Sequence, residues 1–174
     1  MYRLSKIIAG LILLYGCASP KVDDTAIVAS AEIEMIPIKE YEPQTDPVVF
    51  TNYYTGDSTG SGTRTGSGML ISKFKPNEKG WLTYDGFVVV ATATKECMKS
   101  TSGACSKYKE LPEGFHIFEY WDVLRLEIEG VFYDAVVLDS CGACFWEGDL
   151  QRVDILISGK QFSFGKMKGS VIYE

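Results

Sequence analysis

The sequence predicts an all-β domain, a small closed barrel of six to eight strands joined by long loops. Three observations carry this. Short β-branched and aromatic runs recur along the chain, each bounded by glycine, proline or small polar residues. No stretch repeats apolar residues at helical spacing over three turns. Turn signals separate the runs at short intervals, the pattern of barrels and sandwiches. No internal sequence repeat is visible.

In order, residues 48–54 read as a strand on Val48, Val49, Phe50, Tyr53 and Tyr54. Residues 55–69 hold five glycines among Ser and Thr, with Asp57 and no apolar side chain before Met69, so they form a loop. Its glycine density is that of phosphate-cradling loops. Neither a Gly-Lys-Ser/Thr ending nor a helix pattern follows, so it reads as a long loop lining a cleft or simply a flexible one. Residues 69–74 are a short strand and 76–84 are turn-rich. Residues 86–94 are a buried strand, apolar without interruption from Phe87 to Ala91. The polar stretch 95–109 carries Cys97 and Cys105 and reads as a stapled excursion. The turn Leu111-Pro112-Glu113-Gly114 leads into 115–120. Residues 123–128 alternate as a half-buried strand does, Glu129-Gly130 is a hairpin signal, and 131–138 return. Short runs at 162–164 and 171–173 flank a glycine turn.

The centre of the domain is residues 134–158. Val136–Leu138 and Ile155–Ile157 are short buried strands, with Asp139 just after the first and Asp154 just before the second. Between them lie Ser140, Gly142, Gly148 and the Cys-x-x-Cys pair Cys141 and Cys144. Two carboxylates at the ends of buried strands beside a glycine-bearing loop are what an acid/base site needs. They are also what turns use to cap backbone, and Asp154 has Arg152 nearby as an ion-pair partner.

The N-terminus reads as an export signal. Arg3 and Lys6 precede an apolar run from Ile7 to Leu14 that is too short to span a bilayer. Leu14-Tyr15-Gly16-Cys17 is similar to a bacterial lipoprotein box, with Cys17 as the lipidated residue. An ordinary secretory signal or an uncleaved anchor is the alternative. The resulting division is a signal peptide over 1–16, lipidated Cys17 and a proline-bearing tether over 17–47, and the barrel over 48–174.

Residues 1–16 carry two basic side chains and no acid, so the remainder holds 15 basic against 23 acidic side chains, net −8. An acidic domain without a basic cluster is a poor nucleic-acid binder, because phosphate contacts need Lys and Arg. The membrane partner is instead the lipid on Cys17. The other four cysteines, Cys97, Cys105, Cys141 and Cys144, point to two disulfides in an exported protein; Cys97–Cys105 with Cys141–Cys144 is the local pairing among the three connectivities that four cysteines allow. A four-cysteine zinc site is the alternative; the expected set has no metal and no cofactor.

The order of motifs resembles a double-psi β-barrel, and more narrowly the three-aspartate domain of membrane-bound lytic transglycosylase A and the stationary-phase muralytic proteins. That domain is related to the barrels of rare lipoprotein A, expansins and family 45 endoglucanases. The family's opening Thr-x-Tyr is matched by Thr51-Asn52-Tyr53-Tyr54, and its Thr-Ala-Ser-Gly loop by Thr65-Gly66-Ser67-Gly68. Its Ile-Ala-Val-Asp strand is matched by Val89-Val90-Ala91-Thr92, with Thr92 where the first aspartate stands. Its Leu-Pro-x-Gly turn is matched by Leu111–Gly114. Its closing aspartate-bearing segment is matched by Asp139-Ser140-Cys141-Gly142-Ala143, Gly148 and Asp154, a spacing of 15 residues that exceeds the family's by a few.

The resemblance implies an envelope protein acting on peptidoglycan or a related glycan. In lytic transglycosylation one carboxyl protonates the leaving oxygen and then takes a proton from the attacking sugar hydroxyl. Asp154 is the expected acid/base and Asp139 its neighbour. Tyr53, Tyr54 and Trp146 are expected to stack on sugar faces, and Ser67, Thr92 and Thr94 to bind hydroxyls. His116 reads as a strand residue. With the first aspartate missing, a non-catalytic glycan-binding module is the alternative. It tolerates aspartates that are separated or salt-bridged, whereas catalysis needs both to face one cleft.

Overall fold

The computed structural model describes residues 42–54, 62–100, 105, 115–145 and 149–174. The expected signal segment, Cys17, most of the tether, Asp57, the Leu111–Gly114 turn and Trp146 lie outside the described residues. Among the described residues there are eight strands: β1 (Gln44–Tyr54), β2 (Lys75–Pro76), β3 (Leu82–Tyr84), β4 (Phe87–Thr92), β5 (Val123–Ile128), β6 (Val131–Ser140), β7 (Gln151–Ile157) and β8 (Met167–Tyr173). One short helix, α1 (Lys95–Lys99), follows β4.

The strands run β2-β3-β4-β6-β5-β8-β1-β7, and β7 also pairs with β4. That last pairing closes six strands into a barrel and leaves β2 and β3 as an appended hairpin. The fold is therefore the all-β barrel the sequence predicts. The closed sheet has a hidden symmetry. Exchanging β1, β4 and β5 with β6, β7 and β8, member for member, reproduces every barrel pairing and its direction. Parallel β1–β7 maps onto parallel β6–β4, and antiparallel β1–β8 onto antiparallel β6–β5. The antiparallel pairs β4–β7 and β5–β8 map onto themselves. The two halves interleave around the closed barrel, although no sequence repeat announces it.

Two apolar layers explain the strand sequences. The barrel interior takes side chains from all six strands, including Phe50, Val90, Leu126, Val137, Ile155 and Val171. A second cluster covers the outer face of β1, β4, β6 and β7 with Tyr53, Phe74, Leu82, Val89, Ala91, Leu138, Cys144 and Leu156. Strands covered on both faces read as unbroken apolar runs; Phe87–Ala91 of β4 and Ile155–Ile157 of β7 do. Strand β5, covered on one face, alternates Leu124, Leu126 and Ile128 inward with Val123, Arg125 and Glu127 outward.

The hairpins follow their turn chemistry. Glu129 and Gly130 have φ of 54° and 78°, and Asp85 and Gly86 have 50° and 88°. Two consecutive positive φ values make the type I′ turn that matches strand twist.

Three expectations are corrected. Strand β1 begins at Gln44, ahead of the expected boundary, because residues 44–47 pair with 170–173 of β8. Residues 69–74 do not form a strand: Leu70 makes one isolated bridge with Arg64, and Ile71–Lys73 are a 3₁₀ turn. The turn lets Met69, Ile71 and Phe74 all pack on the outer cluster, which strict two-residue alternation forbids. Residues 76–84 include the β2–β3 hairpin, whose loop is tied by Asn77 Oδ1 accepting from the backbone of Lys79 and Trp81 at 2.9 and 3.0 Å.

Candidate functional site

The site is built by a bulge. Strands β4 and β6 pair in register from Val88↔Ala135 to Val90↔Val137, and then Ala91 pairs with Asp139, one residue late. The extra residue, Leu138, shifts Asp139 alongside Ala91. Bulges commonly re-aim a side chain in this way. Across the next ladder Ala91 pairs with Asp154, and across the next Asp154 pairs with Thr51. Asp139, Ala91, Asp154 and Thr51 thus form one lateral row across four neighbouring strands. The two aspartates stand two strand spacings apart, about 10 Å along the sheet, with the small Ala91 between them. Both lie within their strands rather than at the ends where the sequence placed them.

Asp139 is buried and is met by donors from three directions. Gly66 N donates to Oδ1 at 2.7 Å, Ser140 N to Oδ1 at 2.9 Å, and Tyr53 Oη to Oδ2 at 3.2 Å. The described part of the glycine loop is folded onto this carboxylate. Thr65 N donates to Met69 O and Gly68 N to Thr65 O, closing a tight turn, while Ser67 N donates to Leu138 O. Gly66 has to be glycine: a Cβ there would lie 2.3 Å from Tyr120 Oη and 2.9 Å from Asp139 Oδ1. Tyr120 Oη and Ser140 Oγ share a hydrogen bond of 2.6 Å beside it.

Asp154 is held differently. Thr51 Oγ1 donates to Oδ1. Arg152 Nη2 donates to Oδ2 at 3.2 Å, and its Nε lies 3.1 Å from Oδ1. The sulfur of Cys141 rests 3.2 Å from Oδ2, and Arg152 Nη2 is 3.5 Å from the same sulfur. Residues two apart on a strand share a face, so Arg152 and Asp154 are neighbours by strand geometry alone. An arginine at this distance stabilises the charged carboxylate over the protonated acid.

Tyr53 donates to Asp139 and lies in the field of Asp154. Burial pushes its phenol well above its ordinary value, and the charge of Asp139, the hydrogen bond to it and the charge of Asp154 push the same way. It is therefore a permanent donor at neutral pH. Burial, reinforced by the charge of Asp139, also raises Tyr120.

The other expected site residues separate. Ser67 is half-buried in the loop and shares a hydrogen bond of 2.9 Å with Thr65. Tyr54 points opposite to Tyr53 and packs against the barrel interior. Thr92 and Thr94 are fully buried. Thr92 Oγ1 donates to Arg152 O and accepts from Gln151, and Thr94 caps α1 and hydrogen-bonds Ser140. Neither offers a hydroxyl to a ligand, because alternation turned Thr92 to the face opposite Ala91 and the helix cap took Thr94. His116 sits between Phe118 and Tyr173, at ring separations of 4.5 and 4.2 Å, away from the row.

The cysteines form two separate disulfides, Cys97–Cys105 and Cys141–Cys144, so the four sulfurs do not converge. Cys141, Cys144 and Asp154 bring three potential metal ligands within 4.8 Å of one another. A disulfide has no thiolate to offer a metal, and ligation by cysteine needs the thiolate.

Thr51, Gly66, Tyr120, Ser140 and Arg152 complete the site beyond the expected set. Arg152 was legible from its spacing to Asp154. Gly66 and Tyr120 come from loops distant in sequence and carried no such signal. No protein-family model matches this chain, and no curated protein is significantly similar to it.

Proposed function

We propose that this is a cell-envelope protein whose barrel binds a peptidoglycan-type glycan along the Asp139–Asp154 row. The observation that carries binding over cleavage is the ion pair between Arg152 and Asp154. A general acid must hold a proton at the working pH, commonly through burial away from positive charge. Asp154 faces an arginine and a donating hydroxyl instead. Asp139 is tied to the glycine loop by backbone and phenol donors. Oriented carboxylates and hydroxyls are the polar groups that sugar recognition uses, and the Tyr53 ring, buried in the outer cluster, supports them from beneath rather than stacking on a sugar as expected. The envelope address rests on the N-terminal segment and the glycan on the collinear motifs.

One observation favours cleavage as the second reading. The two carboxylates lie in one row around one tyrosine, and lytic transglycosylation needs a single acid/base. Asp154 would then exchange Arg152 for substrate before protonating the leaving oxygen.

The test is digestion of purified peptidoglycan by wild type and by Asp154→Asn, with products read by mass spectrometry and retention read on the pellet. Retention without products is expected. Anhydro-sugar ends from wild type alone would establish the lyase. Neither retention nor products would reject both readings.

A further inference from the structure

Next to the aspartate row the chain adopts a conformation that its side chain does not favour. Trp121 has φ of 80°, in the left-handed region where a bulky residue is an outlier. Outliers of this kind persist only when the surroundings fix them, and they cluster at functional sites. Here two backbone bonds fix it: Trp121 N donates to Val137 O at 2.8 Å and Val137 N to Asp122 O at 3.0 Å.

The turn sends two neighbouring rings in different directions. Tyr120 enters the aspartate site, where its hydroxyl meets Ser140 and covers Gly66. Trp121 goes the other way and stays 48 % exposed. Its ring meets Tyr84 edge-on at 5.9 Å, and Tyr84 meets Phe74 at 6.0 Å. Beside Tyr84 lies a surface hollow of about 570 Å³ lined by Lys73, Lys75, Thr83 and Asp85.

Core packing does not account for this tryptophan, since half its surface remains in water and its backbone is strained. A flat aromatic face beside hydroxyl, ammonium and carboxylate groups suits a sugar ring. The ring's C–H face stacks on the aromatic and its hydroxyls reach the polar groups.

We propose that Trp121 and Tyr84 form a sugar-stacking platform beside the aspartate row, joined to it through Tyr120. The ligand is then a glycan strand of several sugars, not an isolated disaccharide. This rests on the glycan reading above.

The experiment is calorimetric titration of the full-length chain with a peptidoglycan disaccharide and with an octasaccharide strand. Wild type is expected to bind the longer strand at least tenfold more tightly. In Trp121→Gly that ratio is expected to fall towards one, with a melting temperature no lower than wild type, since glycine accepts the left-handed backbone. Trp121→Asn, which also tolerates that region, serves if the glycine variant misfolds. A wild-type ratio near one, or a ratio unchanged in both variants, would overturn the platform while leaving the glycan site in place. Binding of neither sugar by wild type would overturn both.

Discussion

The two ends of the aspartate row are built on different principles. Asp139 is gripped by the chain itself, through the amides of Gly66 and Ser140 and the Tyr53 phenol. Asp154 is gripped by side chains, the arginine two residues earlier on its own strand and Thr51 on the next. The first arrangement fixes a loop; the second fixes a charge. Removing Asp139 should therefore release the loop, whereas altering the Asp154 end should unbalance a largely buried charge pair.

The largest effect that would test this contrast is Asp139→Ala. It leaves buried donors unsatisfied, each worth about 1–3 kcal/mol, so a loss of about 4 kcal/mol is expected in urea unfolding. A loss below about 1 kcal/mol would show that the loop does not depend on the carboxylate. Next is Arg152→Ala, which removes the ion-pair partner of the buried Asp154 and should destabilise by about 2–3 kcal/mol. Adding Asp154→Asn to it should restore most of that loss; a simple sum of the two single effects would break the pairing. Gly66→Ala drives a methyl against Tyr120 and Asp139, and overpacking of this kind should cost about 2 kcal/mol. Tyr120→Phe, lacking the hydroxyl, should relieve part of it in a double-mutant cycle.

The smallest effect lies away from the row. Burial holds the His116 imidazole below its ordinary 6.5. The unfolded chain then takes up the proton more readily, so stability should decline as pH falls below 6.5 until the folded imidazole itself titrates. His116→Gln should flatten that limb of a stability profile, and an unaltered slope would show that another group governs it.

The legibility of these features tracks how local they are. Strands β4 to β7 were readable because each carries its own burial pattern, and the Glu129–Gly130 turn because its backbone requirement favours particular residues. Both aspartates stood out as polar residues beside apolar runs. Their alignment did not, because the bulge at Leu138 looks like any other residue of a continuous run. Thr92 and Thr94 were misassigned because choosing a face requires the register, and a one-residue slip reverses every side chain. The 3₁₀ turn at Ile71–Lys73 was hidden by residues that also suit a strand.

The interleaved halves bear on how the chain reaches this state. Strand β1, near the start of the described domain, has β7 and β8 as its two neighbours. Those strands supply the last partners the chain makes, roughly a hundred residues later along the sequence. Contacts this distant close slowly, because loop entropy is lost before pairing repays it. A nascent chain lacking its final strand leaves β1 and β5 each with an open edge. The barrel thus closes only once β8 is available to fill both edges at the same time.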